Sequence, residues 1–162
     1  LGMAMASDHS GKDFWTYVMV GEGCLNEGES WEGIMAAAKF KPKKLVLLVD
    51  YNKVQLDGSS EDIMPMATLK EKFKSFNWVV APDDYNGHDM ASVHESFKWL
   101  DKASAEGTNA GPYVIVYNTL KGKGVSFMEN THVWHGAPVD DDTFARAMPE
   151  LEKGLAALEE TI

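Results

Sequence analysis

Residues 21–28 contain three glycines within eight positions, together with two glutamates. Glycines permit sharp turns and a close approach of the backbone to a ligand. Because a helix is predicted directly after this segment, its first N–H groups and the positive end of its dipole would face an anion such as a diphosphate. The segment lacks the spacing of the Gly-x-Gly-x-x-Gly dinucleotide motif, and the chain has no P-loop ending in Gly-Lys-Ser/Thr. A tight strand-to-helix turn without a ligand explains the glycines equally well.

A second polar segment, residues 50–58, reads Asp-Tyr-Asn-Lys-Val-Gln-Leu-Asp-Gly. A carboxylate after one strand and a carboxamide after the next can share a hard cation, and Mg²⁺ takes such oxygen ligands when it binds phosphates. Glu22 and Asn52 lie thirty residues apart, about the length of one βαβ unit. Singly, Asn52 is better explained as a turn residue and Glu22 as a solvated acid. Together they favour a cation site at neighbouring strand ends.

These segments need a scaffold, and short apolar runs alternate with amphipathic stretches along the chain. The order predicts an α/β fold, with a mostly parallel sheet and helices on both faces. Ligands of such sheets bind at the carboxyl ends of the strands, which also draws attention to residues 118–135. We expect residues 1–162 to form a single domain. The predicted strands are residues 14–20, 45–49, 78–80 and 113–117, and helices are predicted at the N-terminus and over residues 29–39, 68–76, 91–104 and 142–160.

Composition narrows the class of protein. The 162 residues include 25 acids and 15 bases, a net charge of −10, which argues against a general nucleic-acid binder. Hydrophobic residues make up 44% of the chain, enough for a packed core. No apolar run reaches the roughly 20 residues of a membrane span, so we expect a cytoplasmic protein. The single cysteine, Cys24, excludes an internal disulfide, and we expect it to be a packed thiol.

Five segments together resemble the transketolase family of thiamine-diphosphate (ThDP) enzymes. The pattern Gly-x-Gly followed by Asn, at the spacing seen here, resembles the ThDP motif, which is usually Gly-Asp-Gly and then Asn. The resemblance covers nearly the whole chain and implies the ThDP-binding fold. In the family's order the segments are residues 20–32, residues 48–58, Asn86-Gly87-His88-Asp89, residues 120–126 and Trp134-His135-Gly136-Ala137-Pro138.

The resemblance implies a metal site made of Glu22, the Asn52 side-chain oxygen and the Val54 carbonyl. Glu22 departs from the family's Asp, and its extra methylene is a burden for Mg²⁺, which tolerates little distortion. We still expect ThDP to bind with Mg²⁺, and Ca²⁺ or Mn²⁺ are the alternatives.

The resemblance also implies roles for other residues around the cofactor. His135 is the candidate catalytic residue and, with one lysine, lines the channel for the diphosphate and the donor substrate. Without the family pattern we would interpret His135 as a structural histidine beside Trp134. The candidate cofactor-binding residues are Gly21, Gly23, Leu56, Lys121 and His135, and Glu27 matches a glutamate at a subunit interface.

The resemblance finally implies the activity and the partner. A transketolase transfers a two-carbon ketol unit from a ketose phosphate to an aldose, so sugar phosphates are the expected substrates. The chain lacks the family's Gly-rich segment before Leu1 and a pyrimidine-binding domain after residue 162. We therefore expect an N-terminal subunit of a split transketolase, inactive alone, in a dimer of heterodimers with a pyrimidine-binding subunit. A non-catalytic or regulatory paralogue, a deoxyxylulose-phosphate synthase and a 2-oxoacid dehydrogenase subunit remain as alternatives.

Overall fold

The fold was analysed in a computed structural model, which describes residues 1–106 and 111–160. Five strands alternate with helices, as the sequence pattern predicts. The strands are β1 (Thr16–Gly21), β2 (Leu45–Tyr51), β3 (Val79–Val80), β4 (Tyr85–Asn86) and β5 (Tyr113–Asn118). The α-helices are α1 (Gly2–Ser10), α2 (Gly28–Phe40), α3 (Ser60–Ile63), α4 (Leu69–Ser75), α5 (Met90–Ala105) and α6 (Asp141–Glu159), and 3₁₀ helices span Glu22–Asn26 and Val133–His135.

All five strands belong to one sheet, and every pairing in it is parallel. The order is β1-β2-β5-β3, and β4 also pairs with β5. β5, the last strand in the sequence, therefore lies in the middle of the sheet. Parallel pairing places the carboxyl ends of β1, β2 and β5 along one edge.

Alternate residues of the strands pack into two separate hydrophobic clusters, because successive side chains of a strand point to opposite faces. One cluster joins Leu47 and Val114 with residues of α1, α2 and α4, such as Phe73. The other joins Val46 with Leu100 of α5. Both faces of the sheet are thus covered by helices, which confirms the predicted fold class.

The element boundaries differ from the prediction in a few places. β1 begins at Thr16, because Phe14 is held by Ser7 of α1 and the Thr16 N–H makes the first bond towards the β2 side, to the Lys44 carbonyl. β4 and α3 are too short to give a periodic signal in the sequence. α6 continues through Pro149, a residue that removes one helical hydrogen bond.

Contacts between Cα atoms divide the chain into two compact units. Unit 1 is Leu1–Tyr51 with Met64–Thr119 and contains the whole sheet with α1, α2, α4 and α5. Unit 2 is Asn52–Ile63 with Leu120–Ile162 and contains α3, the second 3₁₀ helix and α6. The single domain expected over residues 1–162 stays a prediction. In the two described ranges, no helix is both long and apolar enough to cross a membrane.

Candidate functional site at the carboxyl ends of the strands

Glu22 begins the 3₁₀ helix directly after β1. The last residue of β1, Gly21, is the register partner of Asp50 in β2, so the two strands end at the same level. Glu22 is only 1% exposed, which corrects its interpretation as a solvated acid. A buried carboxylate needs hydrogen bonds, a counter-charge or a metal ion, so burial makes Glu22 a functional candidate.

The 3₁₀ helix Glu22–Asn26 sets which side chains of the glycine-rich segment turn inwards. A 3₁₀ helix has three residues per turn, so residues i and i+3 lie on one side. Glu22 and Leu25 share that side and both are buried. Cys24 falls on another side and is exposed, so the expectation that it is a packed thiol was wrong.

Two side chains from the start of α2 hold this 3₁₀ helix. The Ser30 hydroxyl donates to the Cys24 carbonyl at 2.8 Å, and the Trp31 indole N–H donates to the Leu25 carbonyl at 2.6 Å. Glu27 is the N-cap residue of α2. It is exposed, and its predicted place at a subunit interface stays a prediction.

Asp50 is joined to Thr119, the residue after β5. The Thr119 hydroxyl donates to the Asp50 carboxylate, and the Thr119 N–H donates to the Tyr51 carbonyl at 3.3 Å. These bonds tie the end of β2 to the end of β5. Sequence reasoning missed this pair because no sequence signal indicated that β5 lies beside β2.

Asn52, in unit 2, is the first residue after β2 and begins a tight turn. Its Oδ1 accepts the Val54 N–H at 3.0 Å. Val54, which is buried, then pairs antiparallel with Ser59, and the bonds of this bridge join Gln55 to Gly58 and Ser60 to Lys53. The Val54 carbonyl is therefore not used by those two bonds. Leu56, at the tip of the turn, is 60% exposed.

Lys121, also in unit 2, begins a compact loop whose shape depends on glycine. Its carbonyl accepts the Asn130 N–H at 2.9 Å. Gly122 has a φ of 74°, and a Cβ atom there would lie 2.2 Å from the Met128 carbonyl oxygen. Within the described residues, the Lys121 ammonium group forms no ion pair with a carboxylate, so its charge is available to an anion.

His135 ends the 3₁₀ helix Val133–His135 and is exposed. Its neighbour Trp134 is anchored, because the indole N–H donates to the Phe127 carbonyl at 3.1 Å. The Phe127 ring stacks in turn beneath the Arg146 guanidinium group at 4.2 Å. The anchoring of Trp134 fixes the backbone beside His135 while the imidazole remains open to a ligand.

The predicted metal ligands are all oxygen atoms: a carboxylate, a carboxamide oxygen and a backbone carbonyl. Mg²⁺ and Ca²⁺ prefer such donors, so the donor chemistry fits a hard divalent cation. The carboxamide oxygen of Asn52 has two lone pairs, of which the bond from Val54 occupies one. No group of three His, Cys, Asp or Glu side chains suited to a metal occurs in the part of the chain that the structure describes, and the predicted set, with one carboxylate, is not of that kind.

Comparison with known proteins addresses the family directly. Residues 3–153 match the model of the transketolase thiamine diphosphate binding domain. A subunit of the apulose-4-phosphate transketolase of Phocaeicola vulgatus is 32% identical over 98% of this chain and 54% of the relative. The 6-deoxy-6-sulfo-D-fructose transketolase subunit SqwG of a Clostridium species is 34% identical over 94% of this chain and 53% of the relative. The chain thus spans about half the length of the curated relatives it matches.

The fold gives the same result. The crystal structure of transketolase from Campylobacter jejuni superposes with a TM-score of 0.76 at 25% identity, over 93% of this chain and 24% of that one. The parallel sheet, the glycine-rich 3₁₀ helix after β1 and the asparagine after β2 occur together in a chain that matches the family model almost from end to end. The chain belongs to the transketolase family, in its thiamine diphosphate-binding domain.

Proposed function

We propose that this chain is the diphosphate-binding part of a ThDP-dependent transketolase. The complete enzyme would transfer a two-carbon ketol unit from a ketose phosphate to an aldose acceptor. The observation that carries the proposal is the pairing of Gly21 with Asp50, which ends β1 and β2 at one level with Glu22 and Asn52 next in the chain. This is the order of ligands that the family motif requires. We further propose that the chain functions in the cytoplasm.

In this proposal Glu22, Asn52 and the Val54 carbonyl hold a divalent cation, with Mg²⁺ first and Ca²⁺ or Mn²⁺ as alternatives. The cation neutralises part of the cofactor's diphosphate. When bound, ThDP supplies the carbanion chemistry of ketol transfer. Burial of Glu22 supports its role, because a cation is one of the few partners that make a buried carboxylate favourable.

Backbone groups of Gly21 and Gly23 meet the diphosphate, and Lys121 contributes a positive charge. Leu56, exposed on its turn, supplies apolar contact to the cofactor rings. His135 is the proposed catalytic residue, because an imidazole accepts or donates a proton near neutral pH and this one is exposed to a substrate. Its task is to hold or move a proton at the oxygen atoms of the donor sugar phosphate.

The partner in this proposal is a pyrimidine-binding transketolase subunit, in a dimer of heterodimers with Glu27 at the interface. Two relatives that are themselves named as transketolase subunits support the need for a partner. Exposed apolar side chains also support one, because large apolar patches mark interaction sites. In unit 1 these include Tyr17, Met19 and Met90, and in unit 2 the α6 residues Phe144, Leu151, Leu155 and Leu158.

A reconstitution assay tests the function. The chain is mixed with the pyrimidine-binding subunit from the same organism, and ketol transfer between sugar phosphates is followed with ThDP and Mg²⁺. Turnover by the mixture, and by neither protein on its own, is the expected result. A tight complex without turnover would instead support a non-catalytic paralogue, an alternative kept open by Glu22 in place of the family's Asp. Activity on a 2-oxoacid or in deoxyxylulose-phosphate synthesis would identify another ThDP enzyme.

A further inference from the structure

Trp31 connects the 3₁₀ helix that carries Glu22 and Gly23 to the aromatic core of unit 1. Its indole N–H donates to the Leu25 carbonyl at 2.6 Å. Its ring lies 5.6 Å from that of Phe73 and 5.7 Å from that of Phe76. The side chain is half-buried, so part of the cost of breaking its hydrogen bond is not recovered from water.

The bond acts on a backbone segment with few other restraints outside its own turn. The Leu25 side chain is buried in the core, and the Ser30 hydroxyl holds the neighbouring Cys24 carbonyl. Two successive carbonyls are thus fixed by two successive side chains of α2. Because each peptide unit is planar, fixing these carbonyl directions also fixes the orientation of the peptide units that follow Gly23.

We propose that Trp31 is a positioning residue for the diphosphate and its cation, acting through the Leu25 carbonyl on Glu22 and Gly23. The inference deepens the proposed function and rests on it. Trp31 itself touches neither ligand. Its role is to keep the segment in the conformation that binds, so that binding does not have to order it.

Core packing alone would also explain a tryptophan on the inward face of α2, so the test must separate the two roles. Trp31→Phe keeps an aromatic ring beside Phe73 and Phe76 but removes the N–H donor. Trp78→Phe is the matched control. Trp78 belongs to the same cluster, its ring lies 5.6 Å from Phe73, and its indole N–H donates to the Ile34 carbonyl at 3.0 Å, away from the glycine-rich segment.

The experiment compares three proteins by calorimetric titration with ThDP and Mg²⁺, by amide hydrogen exchange without ligands, and by chemical denaturation. Trp31→Phe is expected to raise the Kd for ThDP by about five- to tenfold, the equivalent of one hydrogen bond, and to speed exchange in residues 22–26. Trp78→Phe is expected to lower the denaturation midpoint without either change. In the reconstituted enzyme, Trp31→Phe should raise the apparent KM for ThDP more than it lowers kcat at saturating cofactor.

Equal Kd values and equal exchange in the wild type and Trp31→Phe would overturn the proposal, as would the same rise in Kd for both variants. The hydrogen-exchange comparison needs no cofactor. If the wild type bound no ThDP at all, the proposed function would fail, and faster exchange confined to residues 22–26 in Trp31→Phe would still report the restraint separately.

Discussion

Gly21 and Asp50 are register partners at the carboxyl ends of β1 and β2. The residues that follow them, Glu22 and then Asn52 after Tyr51, are the two side chains expected to bind a cation. Parallel pairing is the physical reason that residues thirty positions apart in the chain follow strands that end at the same level.

The cation-binding role of Asn52 leads to a first prediction. Asn52→Ala removes the carboxamide oxygen and, with it, the bond to the Val54 N–H. We expect this variant to lose at least tenfold in ThDP affinity in the presence of Mg²⁺, measured by calorimetry. Asn52→Asp keeps an oxygen at the same position and can still accept the Val54 N–H, so it should retain cation-dependent binding. Unchanged affinity in Asn52→Ala would contradict the assignment.

Gly122 offers a test of the loop that presents Lys121. Alanine there would have to adopt a φ of 74° and place its Cβ 2.2 Å from the Met128 carbonyl oxygen. We expect Gly122→Ala to lower the free energy of unfolding by more than about 2 kcal/mol, measured by urea denaturation. Gly33→Ala, in the middle of α2 and with nothing within 4 Å of the new Cβ, should instead stabilise the protein by up to about 1 kcal/mol. Equal effects of the two substitutions would show that the loop is not built as described.

A buried chain of hydroxyl groups gives a third prediction. The Ser96 hydroxyl donates to the Val93 carbonyl at 2.6 Å, so in its 2.6 Å contact with the Tyr117 hydroxyl the tyrosine must be the donor. Ser96→Ala leaves the tyrosine hydroxyl without this acceptor and should cost about 1–3 kcal/mol, more than the roughly 1 kcal/mol for Tyr117→Phe. A double-mutant cycle by thermal denaturation measures the coupling. Strict additivity would contradict a direct bond.

The pH dependence of stability should be sensitive to Glu150. The Ser126 backbone N–H donates to its carboxylate at 2.6 Å and the Ser126 hydroxyl at 2.8 Å, and these two bonds, the backbone bond first, hold the pKa of Glu150 below its usual range. Because the folded-state pKa is lowered, the stabilisation is present above the ordinary glutamate pKa of about 4.3 and is lost as the pH falls through the lowered value.

Glu150→Gln should therefore destabilise the protein at neutral pH and lose this effect in acid, measured by denaturation over a pH series. Glu152→Gln, at an exposed position of the same helix, is the control and should show no such dependence. A pH-independent effect of Glu150→Gln would count against the role of the carboxylate. NMR titration should also find a higher Glu150 pKa in Ser126→Ala than in the wild type.

The exposed apolar residues of α6 predict self-association of the chain without its partner. Phe144, Leu151, Leu155 and Leu158 are between 44% and 63% exposed and recur at spacings of three and four residues, the pattern of a helix-packing face. Sedimentation velocity should show mass rising with concentration. Replacing Leu155 and Leu158 with glutamine should reduce the association without lowering the denaturation midpoint. A wild type that stays monomeric over the whole concentration range would contradict the prediction.

The sequence predicted the strands and long helices well because their periodicity is strong, and α2 and α6 begin within one residue of the expected positions. It could not place β5 between β2 and β3, since strand order depends on contacts between distant segments. The Asp50–Thr119 bond follows from that order and was missed with it.

The candidate site was predicted in part, from the family pattern as much as from the residues. Burial of Glu22 and exposure of Cys24 both follow from the three-residue period of a short 3₁₀ helix, which gives no recognisable sequence signal. The bond from Trp31 to Leu25 was hidden for another reason. Trp31 falls on the apolar face of a predicted helix, where a tryptophan is expected to be a core residue.

The most direct test of the account is ThDP binding by the wild type, Glu22→Asp and Glu22→Gln, titrated calorimetrically with Mg²⁺, with Ca²⁺ and with a chelator. We predict that the wild type binds ThDP only when a divalent cation is present. Glu22→Asp should bind at least as tightly with Mg²⁺, because its shorter side chain matches the family's ligand. Glu22→Gln should lose at least tenfold, about 1.4 kcal/mol, because the negative charge is gone. Absence of binding in both the wild type and Glu22→Asp, or equal binding by Glu22→Gln, would contradict a cation-dependent diphosphate site at Glu22.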